Sequence, residues 1–279
     1  IKNLTCDLEP YDIREHRGFI RNVIIRVGTN TDEIMVNIVT TREDKDLLSP
    51  IINSLTKQFP SITSIVNNIT TRKSGVSFGE YQLSLYGNDY ITEKMGDLKF
   101  IISANSFFQT NTKQAEKLYD IILEESDLSG DEIVYDLFCG TGSISLYLSK
   151  YAKKIYGFEI SMSAIKNAIQ NSNINKIKNT RFVHGNLENI FRENLEVKDL
   201  KDPDLIIVDP PRSGLHKNTI QDILSKSPKR IIYVSCNPAS QARDTAELCR
   251  EKYKLIKLRP VDMFPHTPHI ENVATLIQK

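Results

Sequence analysis

Cysteine is scarce in this chain: four residues in 279, at positions 6, 139, 236 and 249. No CxxC pair occurs, which argues against zinc and thioredoxin-type sites, and so few thiols in so long a chain argue against a secreted disulfide scaffold. Long apolar runs are missing too. Ile231–Val234 is among the longest, far short of the ~20 residues a membrane span needs. No secretory signal opens the sequence. Nor is there an excess of charge: 36 Lys and Arg stand against 35 Asp and Glu, a net +1, so bulk electrostatics do not call for a nucleic-acid partner. Repeats and low-complexity tracts are absent. What is left is a soluble, cytoplasmic, metal-free globular protein with free thiols, taken as a monomer and long enough for a sizeable core. The chain opens at Ile1 rather than Met, as expected of a piece of a longer protein.

What is there divides near residues 100–105. Before that point the pattern is mixed. Apolar alternation over Gly18–Gly28 and Ile34–Thr40, joined by turn formers, predicts a hairpin; a helical period over Asp46–Phe59 ends at Pro60. Further strands are expected at Ile62–Ile69, Val76–Tyr86 and Leu98–Ile102. After it, a helix at Asn111–Glu125 leads into short apolar strands alternating with helices, which argues for a mainly parallel sheet covered on both faces. Strands are expected at 132–138, 154–159, 180–184, 204–209, 230–235, 254–261 and 272–278. The last two have no helix between them, so an antiparallel pair is expected at that edge. The expected organisation is a smaller α/β domain over residues 1–103 and a Rossmann-like α/β domain over 104–279.

Three sheet-end segments carry chemistry. The strand Val134–Phe138 runs into Cys139-Gly140-Thr141-Gly142-Ser143, and Glu159 ends the next strand. A tight glycine turn lets backbone approach a ligand, and an acid at the following strand end can take ribose hydroxyls. Ser145 stands where a dinucleotide fold wants Gly or Ala, so the nucleoside need not bring a pyrophosphate. With Asp136 ahead of it, the loop resembles the first motif of S-adenosylmethionine-dependent methyltransferases. The fourth strand of the sheet ends in Asp209-Pro-Pro-Arg212, a stiff acidic corner. Enzymes that methylate exocyclic amines often place an aromatic where Arg212 stands, so its presence counts against that reaction. The fifth ends in Ser235-Cys236-Asn237-Pro238. Asn237 can cap the next helix, and the positive helix N-terminus would favour a Cys236 thiolate, a credible nucleophile. Cys139 and Cys249 read as packing residues, and Cys6 has no context. Arg14, Arg17, Arg21 and Arg26 form a local basic run with only Glu15 against them: a solvated face or a phosphate contact.

Taken together with Ser106-Phe-Phe-Gln109-Thr-Asn111 and Asp262-Met-Phe-Pro-His-Thr267 followed by His269 and Glu271, these stretches resemble, in order and spacing, the RNA uracil carbon-5 methyltransferase family. The resemblance covers about residues 15–279. It implies a class I methyltransferase fold with a seven-stranded, mostly parallel sheet and an antiparallel last strand. It implies Cys236 as nucleophile and Glu271 as general base. Gln109, Phe138, Gly140, Glu159, Asn186 and Asp209 would hold S-adenosylmethionine, with RNA as partner and Arg14, Arg17, Arg21 and Arg212 as RNA contacts. The Asp262–Thr267 stretch is closer to the ribosomal RNA branch than to the transfer RNA branch. Family members commonly carry an upstream RNA-binding barrel, and some an iron–sulfur cluster; with Cys139 and Cys236 engaged elsewhere, no such cluster is expected here. A cytosine carbon-5 enzyme is the nearest alternative, but that class generally has a second Cys in the fourth-strand motif, where this chain has Asp209-Pro-Pro-Arg. A dehydrogenase and an inactive RNA-binding module are more distant ones.

Overall fold

The computed structural model describes residues 8–73, 79–194, 197 and 199–279. It falls into two units, divided after Ser106.

In the first unit, β1 (Ile20–Val27) and β2 (Ile34–Thr40) form the expected antiparallel hairpin. Asp44 then caps α1 (Lys45–Gln58), its carboxylate accepting from Leu47 N at 3.2 Å. The helix returns the chain to β3 (Ile62–Ile69), which lies parallel to β2. With β4 (Tyr81–Gly87) the order is β1-β2-β3-β4. Residues 76–78 of the expected Val76–Tyr86 strand lie outside the described residues. Leu48, Ile51 and Leu55 on one face of α1 bury against Phe19, Val36, Ile38 and Ile65. Each such side chain removed from water stabilises the unit by about 1.5–3 kcal/mol. A further strand, β5 (Tyr90–Met95), was not expected; it pairs with β6 (Leu98–Ser103) in a separate hairpin.

The second unit starts with α2 (Thr112–Ser126), capped by Asn111. Then β7 (Ile133–Leu137), β8 (Lys154–Glu159), β9 (Thr180–His184), β10 (Leu205–Val208), β11 (Arg230–Ser235), β12 (Tyr253–Val261) and β13 (Glu271–Gln278) build one seven-stranded sheet, ordered β12-β13-β11-β10-β7-β8-β9. Between them run α3 (Ser143–Leu148), α4 (Met162–Ile174), a short α5 (Ile190–Glu193), α6 (Lys217–Lys226) and α7 (Pro238–Glu251). The fold is the expected one. Its central strands pair in parallel, and β13 runs antiparallel to both neighbours. The finer placement differs from a simple edge hairpin: β13 inserts between β11 and β12. This puts its first residue, Glu271, at the end of the sheet where the parallel strands finish. Tyr135, Leu137, Phe158, Ile206, Val208, Ile231 and Tyr233 fill the core. Helix α3 is shorter than the 142–152 expected, giving way to a 3-10 turn at Ser149–Tyr151.

Candidate active site

The sheet changes direction of winding between β7 and β10, and ligands in such sheets bind outside the strand ends at that point. There the backbone of Phe138, Gly140 and Gly142 takes positive φ: 66°, 54° and 79°. Each glycine has its own reason. A Cβ on Gly142 would stand 2.8 Å from the Phe182 ring and 3.1 Å from Ala168, so close helix–strand packing requires its absence. A Cβ on Gly140 would meet nothing within 4 Å; the space above this turn is open to a ligand. Phe138 is the exception, a bulky residue in the left-handed region, which costs of order 1–3 kcal/mol. Its ring lines both halves of the site.

One half is a cavity of about 580 Å³ bounded by Phe138, Ile160, Asn186, Leu187 and Pro211, extending to Lys217 and Arg243. The other is a recess of about 40 Å³ among Phe107, Gln109, Tyr119, Phe138, Gly140 and Asp209. Glu159 stands at the turn between them. Its carboxylate accepts from Gly140 N at 3.1 Å and from Ser161 N at 2.8 Å, which fixes the carboxylate and leaves lone pairs for other donors. Asn186 is exposed, its amide oxygen accepting from Glu188 N at 3.0 Å. Gln109 is half-buried, and Asn111, two residues on, donates to Met263 O at 2.9 Å. That bond ties the Gln109 segment to the loop before Glu271.

Under the recess, three carboxyl groups crowd together. Asp136 is fully buried. Ser145 Oγ donates to its Oδ2 at 2.5 Å, while its Oδ1 has no protein partner. Burial pushes Asp136 up to about 7, the hydrogen bonds from Ser145 opposing and the charge of Glu159 adding to it. Burial, then the charges of Glu271 and Asp136, push Asp209 up to about 8. Burial pushes Glu271 up to about 7 against the pull of Arg212. Such a cluster is short of positive charge and suits a cationic ligand.

Cys236 lies between β11 and α7. Asn237 caps α7, accepting from Ala239 N at 3.1 Å, and its amide donates to Arg212 O at 2.9 Å. The β11–β13 ladder ends with Ser235 facing Asn272, so Cys236 and Glu271 both lie at that end of the strand pair, near enough for the Glu271 charge to act on the thiol. Gln241, on α7, ties β11 to β13 next to them. Its Nε2 donates to Tyr233 O at 2.8 Å and to Asn272 O at 3.0 Å, and its Oε1 accepts from Asn272 Nδ2 at 2.5 Å. The helix N-terminus does not by itself give a resting thiolate: burial raises the Cys236 thiol, the Glu271 and Asp209 charges add to this, and Arg212 opposes it. The expected thiolate is corrected accordingly. A burial and charge balance outweighs one partial dipole.

The model of the tRNA (uracil-5-)-methyltransferase family matches residues 27–279. The chain belongs to this family. An uncharacterised RNA methyltransferase of Chlorobaculum tepidum is 43% identical over 268 residues, 96% of this chain and 56% of its own length. One of Staphylococcus aureus strain MSSA476 is 42% identical over 276 residues, 98% of this chain and 60% of its own. The chain therefore spans between 56% and 60% of these curated relatives. Among solved structures, the Pyrococcus abyssi tRNA (uracil-54, C5)-methyltransferase in complex with S-adenosyl-L-homocysteine aligns with 33% identity and a TM-score of 0.80, covering 99% of this chain and 65% of that one.

The structure gathers Gln109, Phe138, Gly140, Glu159, Asn186, Asp209, Cys236 and Glu271 at the end of the second unit's sheet where its parallel strands finish. The arginines of the first unit behave differently from one another. Arg14 and Arg17 are exposed. Arg21 lies over the Tyr11 ring at 4.2 Å and donates to Arg72 O. Arg26 is half-buried and donates to Ser106 O. Cys139 is buried and its thiol is raised, by burial first; Cys249 packs on the core; Cys6 lies outside the described residues. One residue of the site escaped sequence reading. Tyr119 reaches the recess from α2, its hydroxyl 2.8 Å from Ser143 Oγ, and carried no motif signal. Ser145 holds Asp136, a signal legible as the Ser in place of the third fingerprint Gly. No helix among the described residues is long and apolar enough to cross a membrane, and none of their His, Cys, Asp and Glu side chains are grouped to hold a metal ion.

Proposed function

We propose that this chain carries the machinery for S-adenosylmethionine-dependent methylation of carbon 5 of a uridine in RNA, in the cytoplasm. The observation that carries the reading is the placement of Cys236 and Glu271 at the same end of the β11–β13 pair, beside a glycine turn and a carboxyl cluster short of positive charge. The residues fit the cofactor: the open space over Gly140 admits it, Glu159 stands where ribose hydroxyls would lie, and the unpartnered Asp136 Oδ1 and the raised Asp209 suit its cationic end. Gln109, Phe138 and Asn186 would complete its contacts. When bound, S-adenosylmethionine supplies an electrophilic methyl group on a sulfonium.

The chain's own steps are these. Cys236, as thiolate, adds to carbon 6 of uracil, and the electron pair moves onto the ring to make carbon 5 nucleophilic. After carbon 5 has taken the methyl, Glu271 as carboxylate removes the remaining carbon-5 proton. The carbon-6–sulfur bond then breaks, the double bond re-forms and the thiolate leaves. With Glu271 pushed up to about 7 by burial, this base is poised near neutral pH. The target must leave its stack to be reached on both faces. Exposed Arg14 and Arg17 would hold phosphates. All reacting groups come from one chain, so a monomer suffices. The Asp262–Thr267 stretch favours ribosomal RNA; the substrate named for the Pyrococcus abyssi enzyme favours transfer RNA. A cytosine target is disfavoured by the absence of a second Cys in Asp209-Pro-Pro-Arg.

The test uses transcripts of large-subunit ribosomal RNA and of transfer RNA containing 5-fluorouridine, incubated with the protein and S-adenosylmethionine. A base cannot remove fluorine, so the adduct should persist as a heat-stable band mapped to Cys236. The RNA that traps identifies the substrate class. No adduct with either RNA, in a chain shown to bind the cofactor, would overturn the proposal.

A further inference from the structure

We propose that Arg212 is a positioning residue that holds Cys236 in its nucleophilic form and receives it again as the leaving group, rather than a phosphate contact. The inference rests on the reading of Cys236 as nucleophile. Arg212 follows two prolines at the end of β10 and belongs to no helix or strand. Its main chain is nonetheless fixed: its carbonyl accepts from Asn237 Nδ2 at 2.9 Å, one residue past the thiol. Pro211 O accepts from Gly214 N at 2.8 Å, closing the turn. The side chain lies near enough to Cys236 to favour its thiolate, and its Nη2 stands 3.4 Å from Nδ1 of His269, two residues before Glu271. Arg212 thus bridges the two loops that carry the proposed nucleophile and base.

The charges facing Cys236 come from two segments, β13 and the loop after β10. Glu271 on β13 and Asp209 after β10 disfavour a thiolate, as burial does; Arg212 is the cation that opposes them. A guanidinium stays protonated throughout the working pH range, so it is a permanent counter-charge. The same group also pulls on Glu271. That sharing gives the reaction an order. While Glu271 is ionised, Arg212 serves both anions. Once Glu271 has taken the carbon-5 proton it is neutral, and the guanidinium is left to the sulfur. The breaking carbon-6–sulfur bond delivers its electron pair to that sulfur as the double bond re-forms, so release is favoured at the moment it is needed.

Alkylation of the free protein tests this without RNA or cofactor. Iodoacetamide is displaced of its iodide by thiolate, and mass spectrometry reads the modified fraction of Cys236 against pH in the wild type, Arg212→Gln and Arg212→Lys. The expected result is a midpoint at least one unit higher in Arg212→Gln, with alkylation at pH 7.5 slowed about tenfold, and partial recovery in Arg212→Lys. Cys249, alkylated in the same samples, and the thermal midpoint report whether the fold is kept. An unmoved Cys236 profile in a folded Arg212→Gln protein would overturn the proposal. So would a loss of about one unit in the slope of log affinity against log salt for RNA without such a shift, since that marks a phosphate contact. The 5-fluorouridine adduct separates the two readings: an adduct with an unmoved profile removes the role of Arg212 alone, and no adduct removes the nucleophile with it.

Discussion

Glu271 is half-buried, acts by its charge on the Cys236 thiol, and is pushed up to about 7 by burial. If it removes the carbon-5 proton, Glu271→Gln should stop the reaction after methyl transfer, because the thiolate cannot leave until that proton has gone. The expected outcome is a covalent protein–RNA complex on ordinary uridine that survives denaturation, with turnover down by about 10³-fold or more. Cys236→Ala should form no complex at all. A Glu271→Gln protein that turns over normally and releases its RNA would assign the base elsewhere. At this scale the sequence was informative where chemistry and local structure coincide: Asn237 as a cap, Ser145 in place of a glycine, Cys139 as a packing residue. It was silent on Tyr119, whose hydroxyl reaches the recess only because α2 packs beside α3.

At the scale of elements, the turn between β7 and α3 separates packing from binding. Gly142→Ala places a methyl against the Phe182 ring at positive φ. It should cost about 2–4 kcal/mol in stability, measured by urea unfolding. Gly140→Ala meets no neighbour, so its stability cost should be about 1 kcal/mol, while calorimetry should show S-adenosylhomocysteine affinity falling at least tenfold. The reverse ranking would place the ligand away from this turn. A second element-scale expectation concerns Gln241, which holds β11 and β13 in register from α7 through three hydrogen bonds. Gln241→Leu strands these partners at about 1–3 kcal/mol each when buried. It should lower the rate of adduct formation as well as the unfolding midpoint. Strand and helix positions were largely legible, since periods of 2 and 3.6 are local properties. Strand β5 was missed because its alternation is short and its support comes from pairing with β6.

The whole molecule should show the carboxyl cluster in its pH dependence. Asp136, Asp209 and Glu271 are raised, chiefly by burial, so the folded protein binds protons that the unfolded chain has already released above about pH 4. Stability must then fall as pH rises from about 4 to about 8. Glu132, whose burial is outweighed by hydrogen bonds from Ser129 and Gly130 and which is held down at about 2, opposes this slope only below about pH 5.5, where the unfolded chain still takes up its proton, and adds none between about pH 6 and about pH 8. The ligand-free protein should therefore unfold at lower denaturant at pH 8 than at pH 6. S-adenosylmethionine, with a sulfonium and an ammonium, should narrow that gap more than S-adenosylhomocysteine, which has the ammonium alone. Asp209→Asn should flatten it. Equal midpoints at both pH values would remove the cluster as a source of cofactor affinity.

The sequence by itself determined the fold class, the family resemblance and the list of residues, because alternation, helical period, caps and motif order are written within a few residues of one another. What it left open was which of those residues meet. Cys236 and Glu271 are distant along the chain, and they become neighbours because β13 enters the sheet antiparallel, between β11 and β12. The same insertion brings Glu271 within electrostatic reach of Asp209, and the loop after β10 swings Arg212 to the thiol. Those proximities set the protonation states on which the chemistry depends. They follow from strand register and burial, long-range quantities that no local pattern records.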